Sequence, residues 1–222
     1  MRFMLVSRLR HSSHKSRAGH PAWRVSGFSR TLRVLKPLLL LGVLLPVCWF
    51  LVTISVRAYP GGPDPAKTGG FGEMTCQQSG CHVSFDLNAG KAKGLGDLVI
   101  SGLPTQYEPG KTYPIKLVVT HTDGRGYWGF QLAARVKETG AQAGELKPID
   151  GSTQVLDEKG IQYIEHTLKG IAANTFEFNW VAPGSSAGEV IMHASGNAAD
   201  GDDTPEGDYI YNTSVSVAAP TR

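Results

Sequence analysis

The feature that most constrains this chain is a run of 20 residues without a charged side chain, PLLLLGVLLPVCWFLVTISV, between Lys36 and Arg57. An α-helix of about that length crosses the hydrocarbon core of a bilayer. Residues 1–36 carry nine Lys and Arg and no acidic side chain. Because basic flanks stay on the cytoplasmic side, we predict a membrane-spanning helix or signal anchor over residues 37–57, with residues 1–36 in the cytoplasm.

A long cleaved signal peptide is the alternative interpretation of the same region, because residues 56–58 offer small or apolar side chains to a peptidase. Both interpretations place the following chain outside the cytoplasm, and a retained helix places the protein in the cell membrane. Residues 58–222 carry 12 basic and 19 acidic side chains, a net charge of −7, although the whole chain has +3. We therefore expect the membrane as a partner, and no nucleic acid.

The exported part changes character at about residue 95. Residues 59–72 contain five Gly and three Pro, which cannot sustain a helix or a central strand, so residues 58–94 are predicted to form a linker. Over residues 95–222, short β-type runs alternate with turn signals, a pattern that predicts an all-β antiparallel sandwich. The predicted strands are residues 97–101, 112–120, 127–137, 153–156, 162–167, 175–181, 188–195 and 208–217.

The most informative local motif is Cys76-Gln-Gln-Ser-Gly-Cys81-His82. Two cysteines followed directly by a histidine are the arrangement that attaches c-type haem, with the imidazole as a ligand of the iron. The usual spacing has two residues between the cysteines, and four require a bulge for which Gly80 is suited. In an oxidising compartment the same pair could form a disulfide. A zinc site is a third interpretation, one ligand short.

A haem at this motif would need a second wall from the β-domain, because residues 59–94 are too few to enclose a porphyrin. That wall would supply a sixth iron ligand or an apolar cover. The candidates are His166, His193, His121 and Met192.

Two weaker signals complete the inventory of chemical groups. The acidic run of residues 200–208 could gather oxygens for calcium through Asp200, Asp202 and Asp203, although it lacks the EF-hand spacing and is typical of a solvated turn. The sequence contains no recognisable set of catalytic residues, so it favours a function other than that of an enzyme. A deep pocket with His166, Glu165 and a second titratable group would indicate one.

Seven segments of the exported part, in order along the chain, resemble one family. They are residues 61–82 (GGPDPAKTGGFGEMTCQQSGCH), 102–113 (GLPTQYEPGKTY), 128–132 (WGFQL), 163–167 (YIEHT), 178–183 (FNWVAP), 195–200 (SGNAAD) and 208–211 (DYIY). The chain is similar there to the bacterial Reelin-type domain, also called the choice-of-anchor V domain. The resemblance implies an Ig-like, Reeler-like β-sandwich on an exported, surface-attached protein.

The resemblance also bears on the cysteine motif. Relatives carry Cys-x-x-Cys-His in place of Cys76–His82, and a segment that tolerates either spacing favours haem over a fixed disulfide turn. His166 matches a family position and so leads the candidate sixth ligands, which makes His82 and His166 the expected iron ligands. Two functions remain open. One is a membrane-tethered electron carrier with a redox protein partner, and the other is a cofactor-free binding or adhesion module with a Cys76–Cys81 disulfide.

Overall fold

The computed structural model describes residues 60–77 and 81–221 of the chain. The predicted membrane helix at residues 37–57, the basic segment before it and the spacer residues 78–80 of the cysteine motif lie outside the described residues. Within the two described ranges, no helix is both long enough and apolar enough to cross a membrane.

The described chain folds into two antiparallel sheets. The elements are α1 (Ala89–Ala92), β1 (Gly96–Ser101), β2 (Thr112–His121), β3 (Tyr127–Val136), β4 (Glu145–Pro148), β5 (Thr153–Glu158), β6 (Ile161–His166), β7 (Thr175–Val181), β8 (Val190–Ala199) and β9 (Tyr209–Val217). A four-stranded sheet has the order β1-β2-β7-β4, and a five-stranded sheet has the order β5-β6-β3-β8-β9. The core contains apolar side chains from both sheets, so the predicted all-β sandwich is confirmed.

Alternation of apolar and polar side chains explains which face of each strand is buried. In β7, Phe176, Phe178 and Trp180 are buried, whereas Glu177 between them is exposed. Successive side chains of a strand point to opposite faces, so this pattern places three aromatic rings in the core. Trp180 is completely buried, and its Nε1 donates a hydrogen bond of 2.9 Å to the carbonyl oxygen of Ala143.

Strand boundaries differ from the prediction where the sequence lacks β-type residues. The strand β4 was not predicted because its four residues, ELKP, contain a single buried apolar side chain, Leu146. The strand β8 continues four residues beyond the predicted end at Ser195. Its last part contains Gly196, where an added Cβ would lie 3.0 Å from Val119 and 3.1 Å from Leu98. The absence of a side chain at Gly196 therefore allows the two sheets to approach closely at this point.

Residues 60–77 contact the five-stranded sheet through side-chain amides. The Gln131 side chain accepts a hydrogen bond from the Lys67 amide and donates one to the Asp64 carbonyl. Gln154 donates to the carbonyl of Gly61. Both glutamines also donate to the carboxylate of Glu165, which is only 1 % exposed. A segment whose Gly and Pro content predicted a linker is thus attached to β3, β5 and β6.

The buried carboxylate of Glu165 gives a testable dependence of stability on pH. Burial raises the pKa of Glu165 above its ordinary value, an effect that the two glutamine hydrogen bonds reduce and that Asp64 reinforces. The folded protein therefore holds this proton to a higher pH than the unfolded chain does. The contribution of Glu165 to the free energy of unfolding should be fully present below the ordinary value of 4.5 and should be lost as the pH rises through the folded pKa.

Urea unfolding of the wild type and of Glu165→Gln between pH 4.5 and pH 7 measures this contribution, since glutamine does not titrate. The wild type should lose more stability across this interval than the variant. Glu177→Gln, which removes an exposed carboxylate from β7, serves as the control and should keep the wild-type slope. Equal slopes in the wild type and in Glu165→Gln would contradict the prediction.

Candidate functional site: a cavity lined by two thiols and two histidines

The described residues enclose a cavity of about 730 Å³ where residues 60–82 meet the ends of β3, β6 and β8. Four residues that the sequence singles out line it, namely Cys76, Cys81, His82 and His166. These residues come from positions up to 90 apart in the chain. Much of the remaining wall is apolar and includes Trp128, Phe130, Leu168, Ile171, Met74 and Pro63.

The other three candidate ligands lie away from this cavity. Met192 is fully buried in the core between the sheets. The ring of His193 packs against Phe71, with centroids 5.5 Å apart. The ring of His121 lies 4.5 Å from that of Tyr209. His166 is therefore the one sixth-ligand candidate that the fold brings to the same cavity as His82.

No disulfide joins Cys76 and Cys81 in the part of the chain that the structure describes. The amide of His82 donates a hydrogen bond of 3.3 Å to the carbonyl oxygen of Cys76 and closes the loop between them. Cys76 is partly buried, and desolvation of its sulfur raises its pKa to about 11, an effect that the Ser195 hydroxyl reduces and the neighbouring Cys81 reinforces. Cys76 is therefore a protonated thiol at neutral pH and a poor thiolate donor to a metal ion.

The imidazole of His82 contacts a buried carboxylate. Its Nδ1 lies 2.8 Å from Oδ2 of Asp208, which is 2 % exposed. Asn197 donates a hydrogen bond of 3.1 Å to the same oxygen, and the amide of Asp200 donates one of 3.2 Å to Oδ1. The contact is at ion-pair distance without hydrogen-bond geometry at Nδ1, and Nε2 is the ring nitrogen that does not face the carboxylate.

His166 ends the strand β6, and its ring is almost completely buried. Its Nδ1 faces the peptide of Phe130, 3.0 Å from the nitrogen and 3.2 Å from the oxygen, so that either tautomer has a backbone partner. A Cβ added at Gly129 would lie 2.7 Å from Cε1 of this ring, so glycine at that position makes room for the imidazole. Burial lowers the pKa of His166 and keeps the ring neutral, as a metal ligand requires.

The acidic loop that suggested calcium uses its carboxylates locally. Asp202 accepts hydrogen bonds from the amide and the hydroxyl of Thr204, and Asp200 accepts one from the amide of Asp202. The other oxygen of Asp200 lies 3.7 Å from Nη1 of Arg125. Within residues 60–77 and 81–221, no three His, Cys, Asp or Glu side chains are grouped to hold a metal ion.

The cavity differs from the pocket that would have indicated an enzyme. Glu165 does not line it, and its carboxylate is bound by Gln131 and Gln154 beneath residues 61–67. Sequence reasoning missed Asp208 as a cavity residue, since it stood in an acidic run that is typical of a solvated turn. Asp208 directly precedes the Tyr-Ile-Tyr run of β9, and its place at the start of the predicted strand 208–217 is the signal that could have marked it as buried.

Comparison with known proteins places the β-domain in a family. A family model described as the Reeler domain matches residues 87–198, which is half of the chain. The chain belongs to the Reeler domain family. The predicted resemblance is thereby confirmed for the β-sandwich, and the coarse class of the protein is that of a binding or adhesion-type module. No curated protein matches the chain.

Several solved structures are similar to this Reeler domain. The human F-spondin reeler domain is 24 % identical, covers 56 % of this chain and 88 % of its own, and has a TM-score of 0.42. AvmM, which catalyses a macrocyclisation in alchivemycin A biosynthesis, is 13 % identical over 57 % of this chain and 90 % of its own, with a TM-score of 0.34. A Clostridium thermocellum cohesin–dockerin complex contains a chain that is 11 % identical over 53 % of this one and 97 % of its own, with a TM-score of 0.33.

The cavity is built only partly from the residues that match the Reeler family. Trp128 and His166 lie inside the matched range, whereas Cys76 and His82 precede it and Asp208 follows it. The two flanks of the chain therefore supply the thiols, one histidine and the carboxylate that faces it.

Proposed function

We propose that this Reeler domain holds one covalently attached c-type haem in the cavity and acts as an exported, membrane-tethered electron carrier. The main support for the proposal is that Cys76, Cys81, His82 and His166 all line one cavity. A motif without a chemical role would not be expected to share a cavity with a histidine from a distant part of the chain. A cavity of about 730 Å³ is within the range of cofactor sites, roughly 300–1,000 Å³.

The cavity walls fit a flat, largely apolar ring system. Trp128, Phe130, Leu168 and Ile171 provide apolar surface on the side of the β-domain. Pro63 and Met74 provide it on the side of residues 60–77, which the glutamine contacts hold in place. Among the described residues no three side chains are clustered to hold a free metal ion, and a haem would not need such a cluster, because the porphyrin would supply four of the iron ligands.

The two thiols fit thioether formation better than metal binding. Each S–H adds across one vinyl double bond, so that sulfur bonds to one vinyl carbon and the hydrogen passes to the other, with no electrons exchanged. The raised pKa of Cys76 keeps its proton in place and disfavours a structural thiolate site.

His82 and His166 would hold the iron. His82 follows the second thiol directly, and His166 is neutral and lines the same cavity. When bound, haem supplies a one-electron couple, and the chain holds and shields it without needing a substrate site. A tether at residues 37–57 would keep such a carrier at the membrane, where a redox protein could reach it.

Covalent attachment is tested by expressing the full chain with the cytochrome c attachment machinery. We expect a haem absorbance that survives acid–acetone extraction and an intact mass increased by one haem. The double variant Cys76→Ala/Cys81→Ala should lose both signals completely. Cys48→Ser, which changes the third cysteine of the chain, is the matched control and should keep them.

A colourless wild-type protein would overturn the proposal. A mass lower by two hydrogens would then assign a Cys76–Cys81 disulfide and favour the cofactor-free adhesion module that Reeler family membership suggests. An unchanged mass would leave two thiols and no cofactor, which is equally incompatible with a c-type haem.

A further inference from the structure

Lys67 is the one lysine or arginine that lines the cavity formed by the described residues. It is partly buried, whereas every other lysine in residues 60–77 and 81–221 is exposed. Its ammonium group forms no ion pair and no hydrogen bond with any residue in those two ranges. By contrast, the exposed Lys91 and Lys137 lie 2.8 Å and 2.9 Å from carboxylate oxygens. The lysine that is partly withdrawn from water is thus left without an anion.

The main chain around Lys67 is fixed, although its side chain has no partner. The Lys67 amide donates a hydrogen bond of 2.7 Å to Oε1 of Gln131. The carbonyl oxygen of the next residue, Thr68, accepts one of 2.8 Å from Nδ2 of Asn212. The preceding residue, Ala66, has a φ of 66°, a left-handed conformation that alanine rarely adopts. Residues strained in this way cluster at ligand-binding sites, and here the strain fixes where the lysine side chain leaves the main chain.

We infer that Lys67 binds a carboxylate group of the molecule that occupies the cavity. The inference deepens the proposed function and rests on it for the identity of that molecule, since haem carries two propionate side chains. In cofactor sites, a few polar groups fix the orientation of a largely apolar ligand. Lys67 would do so by holding one propionate. Because this contact does not involve the iron, it can be tested on a porphyrin without metal.

The surroundings of Lys67 favour an anion of low charge. Apolar side chains such as Trp128 make up much of the wall, and they offer no hydrogen bond to an ammonium that has lost water. Three carboxylates line the same cavity, those of Asp64, Asp203 and Asp208, so a ligand with several negative charges would be repelled. A single lysine also lacks the forked pair of donors with which arginine binds phosphate. A carboxylate on an otherwise apolar ligand fits these conditions.

Variants of Lys67 separate its charge from its shape. Lys67→Gln removes the charge and keeps part of the apolar stem, whereas Lys67→Arg keeps the charge. Because the ammonium has no partner among the described residues, neither change should unfold the domain. Lys169→Gln is the matched control, because Lys169 is exposed and follows the cavity residue Leu168 without lining the cavity itself.

Binding is measured with the full chain, made without haem attachment and kept in detergent. It is titrated with iron-free protoporphyrin IX, which carries both propionates, and the absorbance and fluorescence of the porphyrin report the complex. The dissociation constant should rise about tenfold in Lys67→Gln, as expected for the loss of a hydrogen bond between charged groups. It should stay within about threefold of the wild-type value in Lys67→Arg and in Lys169→Gln.

The dimethyl ester of protoporphyrin IX distinguishes binding of a carboxylate from a structural role of Lys67. The ester has lost both negative charges, so the wild type and Lys67→Gln should bind it with the same affinity. Weaker binding of the ester by Lys67→Gln would show that the substitution disturbs the cavity itself, and would overturn the inference. A wild type that binds the free acid no better than Lys67→Gln does, or that binds neither porphyrin, would overturn it as well.

Failure of this inference and failure of the haem proposal give different results. A wild type that stays colourless in the attachment experiment, but binds the free acid in a manner that depends on Lys67, would refute the covalent haem and leave the inference standing. A haem-loaded wild type whose haem-free form binds the free acid no better than Lys67→Gln does would refute the inference alone.

Discussion

Replacement of Trp180 by alanine is expected to lower the free energy of unfolding by about 3–5 kcal/mol, which is a large fraction of the stability of a single domain. The ring is completely buried and lies 5.7 Å from that of Tyr113 and 6.0 Å from that of Tyr107. Alanine would leave a cavity between the sheets. It would also leave the carbonyl oxygen of Ala143 without the N–H that now donates to it.

Urea unfolding followed by circular dichroism measures the change. Trp180→Phe keeps part of the apolar area and loses the donor and some ring volume, so its cost should lie below that of alanine, at about 2 kcal/mol. Ile149→Ala truncates a large apolar side chain that is 52 % exposed, and should change stability by less than about 0.5 kcal/mol. If Trp180→Ala cost no more than Ile149→Ala, the assignment of Trp180 to the centre of the core would be wrong.

The residues that make up the core could be predicted because burial in a strand follows a local rule. The alternation of Phe176, Phe178 and Trp180 with polar neighbours is visible in seven consecutive residues, and β7 has the predicted bounds. The strand β4 escaped prediction because only Leu146 is buried in it. Its position depends on its pairing with β7, which is a tertiary contact.

The candidate site could be predicted only where its functional residues form a local sequence motif. The motif Cys76–His82 is recognisable in the sequence, and a family resemblance placed His166 ahead of the three other candidate ligands. Asp208 could not be recognised, because its role depends on a contact with His82 across 126 positions of the chain. The composition of residues 59–72 predicted no helix or central strand, and the described residues 60–72 form neither. It carried no information on the glutamine side chains of β3 and β5 to which they bind.

The charged cluster around Glu73, which holds the loop before the thiols, also depends on tertiary contacts and could not be predicted from the sequence. The Glu73 carboxylate accepts hydrogen bonds from Nη1 of Arg135 and from the hydroxyl of Tyr163, both at 2.7 Å, and from the hydroxyl of Thr68. The side chains of Glu73 and Arg135 are only 9 % and 16 % exposed. Burial and the nearby Glu73 raise the pKa of Tyr163, so its hydroxyl stays a donor. Three donors thus depend on one carboxylate that stands three residues before Cys76.

Substitution of this carboxylate is expected to have the second large effect. Glu73→Gln removes the ion-pair partner of Arg135 and turns the amide NH₂ of glutamine toward one of the three donors. We expect the free energy of unfolding to fall by about 3 kcal/mol. This value is at the low end for a broken buried ion pair, because both side chains keep some exposure. Glu189→Gln removes the partner of Lys137 from an exposed pair and should cost less than about 1 kcal/mol.

The reactivity of Cys76 distinguishes loss of the docked loop from a general loss of stability. With the haem-free chain and Cys48 and Cys81 replaced by serine, alkylation reports Cys76 alone. Its pKa of about 11 leaves roughly two orders of magnitude less thiolate than an ordinary cysteine has at neutral pH. Release of the loop in Glu73→Gln should therefore accelerate alkylation at least about tenfold. Glu189→Gln should react at the wild-type rate, and equal rates in both variants would show that the cluster around Glu73 does not hold the thiol segment in place.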